Sequence, residues 1–225
     1  MLITETFQSL QGEGILAGTP SFFIRTSGCN LRCRWCDTPY ASWNPEGRRR
    51  SVADLVDQAV KSALGHVVVT GGEPLLAREI GALTSALRVR GLHVTVETAG
   101  TVAPTFECDL LSMSPKTANS DPGGPWKDRH VRRRSNLDPA RELLRRFPNH
   151  QLKLVVRGVQ DSDEIVALLS RLPEARRDRV LLMPEARTPD ELAARAPGVA
   201  ALCLELGVRY CPRLHIELWG GRRAR

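Results

Sequence analysis

The sequence is poor in lysine and in aromatic side chains. Among 225 residues the 32 cationic side chains comprise 28 arginines and only 4 lysines, and Phe, Trp and Tyr amount to 5%. The basic runs Arg48-Arg49-Arg50, Arg132-Arg133-Arg134, Arg145-Arg146 and Arg222-Arg223 therefore lack interleaved aromatics. They match no helix-turn-helix or RNA-binding signature, so the net charge of +7 is read as arginine-biased surface, and no direct nucleic-acid partner is expected. No apolar run approaches the roughly 20 residues that span a bilayer, so no membrane partner is expected either. The opening Met1-Leu-Ile-Thr-Glu5 has neither the basic start nor the apolar core of a signal peptide, and a cytoplasmic chain is expected. Internal repeats and a domain linker are also missing, so one domain over residues 1–225 is the expectation. With 42% apolar and 25% charged residues the chain has a globular composition, and its length buries enough surface to fold without disulfides.

What is present, from about residue 50 onward, is alternation of helix and strand signals. Apolar positions 52, 55, 56, 59, 60, 63 and 64 form a helical stripe with Ser51 as N-cap. Strands are predicted at 66–70, 92–97, 110–114, 152–156 and 180–183, and helices at 76–89, 138–147, 161–171 and 189 to about 206. Such alternation implies an α/β fold with a parallel sheet and right-handed crossovers. About six mostly parallel strands are too few for a closed eight-unit barrel, so an open partial (β/α) barrel or a doubly wound sheet is expected. The Pro/Gly/Asp-rich, basic segment 117–137 is long enough to be expected as a functional or mobile loop.

Three of the six cysteines crowd into Cys29-Asn-Leu-Arg-Cys33-Arg-Trp-Cys36. In a reducing compartment such spacing suggests a metal centre. A closed zinc site wants four ligands, yet the next cysteine is Cys108 and no histidine lies closer than His66. Three thiolates with an open corner suit a 4Fe–4S cluster whose last iron binds something else, while zinc borrowing a distant ligand stays open. Cys108, Cys203 and Cys211 share no spacing and are expected to be inert, and the five histidines show no ligand spacing.

These residues resemble the radical S-adenosylmethionine (SAM) superfamily. Its second mark is Val67-Val-Val-Thr-Gly71-Gly72-Glu73-Pro74, where glycines admit close backbone approach and the carboxylate could pair with an ammonium. Within that superfamily the chain is similar to the 7-carboxy-7-deazaguanine synthase family. The similarity is carried by Glu5–Gly14, placed before the first strand, by Phe23–Thr38, by Val96–Thr101, by Ser114-Pro115-Lys116, and by Leu214–Gly220, expected as a closing strand.

The resemblance implies a radical SAM core holding a 4Fe–4S cluster on Cys29, Cys33 and Cys36, with SAM and Mg²⁺ as further cofactors. It implies a lyase that converts 6-carboxy-5,6,7,8-tetrahydropterin to 7-carboxy-7-deazaguanine and ammonia for queuosine-type tRNA modification. Trp35, Cys36, Asp37, Gly72, Glu73, Ser114, Pro115 and Lys116 would contact SAM. Met183, Pro184, Glu185 and Ala186 would serve its adenosine, with Met183 standing where other members carry Gln. The pterin would meet Leu10, Gln11, Gly12, Glu13, Thr70 and Glu97, and Arg25 would fork its carboxylate or ring carbonyl. Thr38 would give Mg²⁺ one hydroxyl oxygen. A homodimer and an electron donor such as flavodoxin or ferredoxin complete the expectations. The rivals are a glycyl-radical activating enzyme and a zinc-containing nucleic-acid-binding domain without catalysis.

Overall fold

The computed structural model describes residues 1–224. The chain opens with an antiparallel pair, β1 (Leu2–Leu10) and β2 (Pro20–Thr26), followed by the short α1 (Pro39–Ser42) and the two-residue β3 (Arg48–Arg49). Alternation then begins with α2 (Val52–Lys61), β4 (His66–Gly71), α3 (Ile80–Val89), β5 (His93–Thr98) and β6 (Leu110–Met113). Two helices, α4 (Lys127–Ser135) and α5 (Asp138–Arg146), precede β7 (His150–Val156). The series ends with α6 (Ser162–Ser170), β8 (Val180–Pro184), α7 (Pro189–Leu206), β9 (Arg209–Tyr210) and α8 (Leu214–Trp219). Local chemistry sets several boundaries. Ser51 Oγ accepts from Asp54 N at 3.1 Å to cap α2, Thr188 accepts from Glu191 N with Pro189 in the first turn of α7, and Gly207 at φ 62° stops that helix.

All nine strands join one sheet in the order β3-β1-β2-β4-β5-β6-β7-β8-β9. Every pair from β2 to β9 is parallel, and only the β1 pairings are antiparallel. Six substantial parallel strands thus form the expected α/β partial barrel, with β9 as a short seventh. Strand alternation sorts the two faces. Ile24, Val67, Val69, Val96, Leu111, Met113, Leu152, Leu154 and Leu182 pack into the main core with the helix residues Leu55, Leu83, Leu87, Leu143, Ile165 and Leu202. The opposite parity, including Arg25, Thr70, Glu97, Ser112, Lys153 and Met183, lines the concave side. The loop after β1 crosses that side. Ile15 N donates to Gln151 Oε1 at 2.8 Å, Gly14 N to Cys211 Sγ at 3.0 Å, and Leu214 N to Gly12 O at 3.0 Å, which rolls the sheet around the cleft. Among the described residues no helix is long and apolar enough to cross a membrane.

Four local expectations are corrected. Most of Glu5–Gly14 does not precede the first strand but is the first strand, because its alternation pairs with β2. Leu214–Trp219 is a helix, closed by Gly220 at φ 61° whose N donates to Ile216 O at 2.8 Å. The 117–137 segment is not one loop. It holds single 3₁₀ turns at Ala118–Ser120 and Gly124–Trp126 and the helix α4. The helix expected over 76–89 begins only at Ile80, since Pro74 starts a separate 3₁₀ turn, Pro74–Leu76.

Candidate active site

Cys29, Cys33 and Cys36 lie in the loop between β2 and α1 and all face a cavity of about 160 Å³. Gly71 and Gly72 hold that loop in place. Gly72 N donates to Thr26 O at 3.2 Å and Glu73 N to Gly28 O at 2.9 Å. A Cβ on Gly72 would sit 2.3 Å from Gly28 O and 2.7 Å from Ala41 O, so only glycine admits this backbone-on-backbone contact. The glycine pair therefore joins the end of β4 to the cysteine loop.

The three thiols suit a cluster better than a single ion. Among the described residues the only trio of potential ligand atoms within 4.8 Å of one another is Glu13, Asp37 and His215, so the sulfurs are spread wider than that. Thiolates on one tetrahedral zinc stand about 3.8 Å apart, whereas a 4Fe–4S cluster places each thiolate on its own iron. Burial pushes the Cys29 thiol up to about 11 and the Cys33 thiol up to about 12, so both are protonated near neutrality until a metal takes them as thiolates. Lys116 is the cation set against them. Its Nζ donates to Ser114 Oγ at 2.7 Å and lies 5.3 Å from the Trp35 ring centroid. Trp35 is itself pinned by a 3.0 Å bond from Nε1 to Asn119 Oδ1.

Gly72, Ser114, Lys116, Met183, Trp35 and Asp37 line this cavity with the cysteines, whereas Glu73, Pro115, Pro184, Glu185 and Ala186 do not. Glu73, expected to be free for an ammonium, has both carboxylate oxygens engaged. They accept from Leu75 N at 3.1 Å, Thr98 Oγ1 at 2.7 Å and Ala99 N at 2.8 Å, and burial raises the group. It thus ties the end of β4 to the end of β5. Glu185 retains a buried Oε2 without a protein partner, and Ala186 O accepts from Arg213. Cys203 packs in the main core, and Cys211 packs beneath the β1 loop with Val155, Leu181 and Met183.

A second cavity of about 440 Å³ adjoins the first, sharing Glu13, Cys36, Asp37, Thr38, Thr70, Gly71 and Glu97 with it. Leu10, Gln11, Gly12 and Arg25 complete the expected set on its walls. Arg25 is not wholly free, because its Nε donates to Glu5 Oε1 at 2.8 Å. Its terminal nitrogens make no hydrogen bond among the described residues. Thr38 precedes α1 but does not cap it, and its hydroxyl has only a 3.8 Å approach to Cys36 Sγ.

Between the cavities runs a chain of charges in which the acids Glu13, Asp37 and Glu97 were expected at the site but the two cations, Lys153 and Arg213, were not. Lys153 Nζ donates to Glu13 Oε2 at 2.9 Å and to Glu97 Oε1 at 3.0 Å, and its side chain is only 3% exposed. Arg213 donates to Glu13 Oε1 at 3.2 Å and Asp37 Oδ2 at 2.6 Å. Gln11 Nε2 reaches Glu97 at 3.2 Å. Burial would raise the Glu13 carboxyl, but Lys153 and Arg213 outweigh it and hold the group well below the usual range. Asp37 is likewise lowered, burial being overcome by Arg213. Burial would lower Lys153, yet Glu97 and Glu13 raise it. Along this wall three carboxylates thus face two cations. His215, one of the histidines assigned no role, also lines the larger cavity, and burial lowers it. A signal for Lys153 existed: it is the lone charge inside the wholly buried strand β7.

A partly rolled parallel sheet, with three thiols at the carboxyl ends of its strands and a glycine pair locking their loop, defines a radical SAM enzyme, and residues 23–172 match the Radical SAM superfamily. The 7-carboxy-7-deazaguanine synthase of Rhodopirellula baltica is 46% identical over 99% of this chain and 88% of its own. That of Halobacterium salinarum is 45% identical over 96% and 90%. The crystal structure of QueE from Escherichia coli superposes with a TM-score of 0.65 at 25% identity, covering 93% of this chain and 92% of that one. The chain belongs to the 7-carboxy-7-deazaguanine synthase family.

Proposed function

We propose that this protein is a radical SAM lyase that converts 6-carboxy-5,6,7,8-tetrahydropterin to 7-carboxy-7-deazaguanine and ammonia. The carrying observation is that Glu13 and Glu97, both bonded to the buried Lys153, line one cavity together with Arg25, and that this cavity adjoins the one faced by the three thiols. A pterin presents guanidine-like N–H donors on one edge and a carboxylate on the other. Fixed carboxylate acceptors suit the first, and the unengaged terminal nitrogens of Arg25 suit the second. At about 440 Å³ the cavity has the size of a small-molecule site rather than a bed for a polypeptide, which favours this reading over a glycyl-radical activating enzyme.

Cys29, Cys33 and Cys36 would hold the 4Fe–4S cluster, which together with SAM supplies a 5′-deoxyadenosyl radical when bound. Gly72, Ser114, Lys116, Trp35 and Met183 border the volume open to SAM. The uncommitted Thr38 hydroxyl would serve Mg²⁺, with substrate carboxylate and water as the remaining oxygens. A homodimer is part of the proposal by family likeness alone. The test is anaerobic incubation of reconstituted protein with SAM, dithionite and the tetrahydropterin, followed by mass spectrometry. The deazaguanine acid should accumulate, and its absence while SAM is still cleaved would reject the substrate. A Thr38→Ala protein should need more Mg²⁺ for half-maximal rate, and an unchanged titration removes Thr38 from the metal.

A further inference from the structure

We infer that the outer face of α4, together with the cysteine loop it covers, is the docking surface for an acidic one-electron carrier protein. The inference rests on the function proposed above, which requires an electron to reach the thiol-bound cluster from outside. The inner side of the cysteine loop faces the two cavities, so the outer side is the one a carrier protein reaches. That side is built by α4. His130 is buried beneath it, with Nδ1 accepting from Arg32 N at 3.0 Å and Nε2 bonded to Ser120 Oγ at 3.0 Å. Arg133 Nη1 donates to Asn30 O, the residue after Cys29, and Arg34 N donates to Ser120 O at 2.9 Å. α4 is thus bonded to the cysteine loop through His130 and Arg133, and the turn before it through Ser120.

The charge of this face is unbalanced. Arg32, Arg34, Lys127, Arg129, Arg132 and Arg133 make no ion pair among the described residues, and the only acid on α4 is Asp128. Arg134, in the same run, is consumed inward by Asp121 at 2.5 Å and 2.8 Å. Burial and the neighbouring guanidiniums of Arg129, Arg32 and Arg132 push Arg133 down, as expected of cations crowded without a counter-charge. At the centre stands Trp126, 38% exposed, with Arg32 at 4.4 Å and Arg129 at 5.3 Å from its ring centroid. An exposed Trp framed by arginines is the kind of anchor that dominates protein interfaces, and the surrounding cations would steer an acidic partner onto it. One electron passes from the carrier to the cluster, and the carrier is oxidised by one electron. The single Trp, already covered by two guanidiniums, offers little stacking for a nucleic acid.

The test uses iron-replete protein and a reduced flavodoxin as probe. Wild type, Arg129→Glu/Arg132→Glu, the milder Arg129→Gln/Arg132→Gln, and Arg90→Glu, an exposed arginine after α3, are compared. Iron content and circular dichroism confirm intact folds. The charge-reversed pair should weaken flavodoxin binding by about tenfold or more at low salt and slow cluster reduction in stopped flow, with the Gln pair intermediate and Arg90→Glu unchanged. Dithionite-driven turnover should stay at the wild-type rate. Equal binding by wild type and the charge-reversed pair, or equal loss in Arg90→Glu, overturns the assignment. So does loss of tRNA binding in that pair with flavodoxin binding retained. If dithionite gives no product while flavodoxin binding follows the expected pattern, the proposed function fails and the docking surface stands.

Discussion

Replacing Lys153 with Met removes the one cation shared by Glu13 and Glu97 and leaves its volume nearly filled. Breaking a buried ion pair from one side costs about 3–5 kcal/mol, because the abandoned charge stays desolvated. Here Glu13 keeps Arg213 at 3.2 Å, but Glu97 keeps only the Gln11 amide at 3.2 Å. The lower end, about 3 kcal/mol, is therefore expected at pH 7, which for a chain of this size lowers Tm by about 6–12 °C. The loss carries a pH signature. Glu13 is depressed in the folded protein, so its contribution is present above its ordinary value of 4.5 and lost as pH falls through the folded value. Without Lys153 that contribution shrinks, and the gap between variant and wild type should be full at pH 7 and narrow below about pH 5. Calorimetry on both proteins from pH 4 to 8 reads this directly. Adding Glu97→Gln should restore part of the loss, since a neutral amide needs no counter-ion. A variant within about 1 kcal/mol of wild type, or a gap independent of pH, would refute the assigned role of the network.

Three further outcomes are expected. Cys29→Ala, Cys33→Ala or Cys36→Ala should each abolish cluster assembly, while Cys203→Ala keeps full iron by chemical assay; loss of iron in the Cys203 variant would indicate a second centre. Gly72→Ala must push against Gly28 O and Ala41 O, costing about 1–3 kcal/mol and lowering iron uptake, and an unperturbed Tm would show that the loop has room to shift. His66, held between Ser21 Oγ at 2.7 Å and Thr95 Oγ1 at 2.8 Å, is lowered by burial to about 4. The unfolded chain therefore binds the extra proton first, and about 1–3 kcal/mol of stability should vanish as pH drops from 6.5 toward 4, a slope that His66→Asn should flatten in urea titrations.

The order of helices and strands from residue 50 was legible in the chain, since apolar periodicity and caps such as Ser51 are local properties. So were the thiol loop and the Gly-Gly-Glu-Pro turn, because chelation by closely spaced cysteines and backbone contact through glycine need only neighbouring residues. Errors in the terminal segments arose because their placement came from family likeness rather than from local pattern. Leu214–Trp219 alternates like a strand yet is a helix, and Leu2–Leu10 pairs with a partner whose register only the fold supplies. Tertiary structure alone decided which parity of each strand faces the cleft. That choice turns Lys153, one position from Leu152 and Leu154 in the core, into the centre of the site, and brings Glu13, Glu97 and Arg213 to it from distant segments. It also turned Glu73 inward as a tie between strands rather than outward toward a ligand. A pairing between residues 140 positions apart, as between Lys153 and Glu13, leaves no periodicity or spacing in the chain, because the energy that selects it is the burial of the whole sheet.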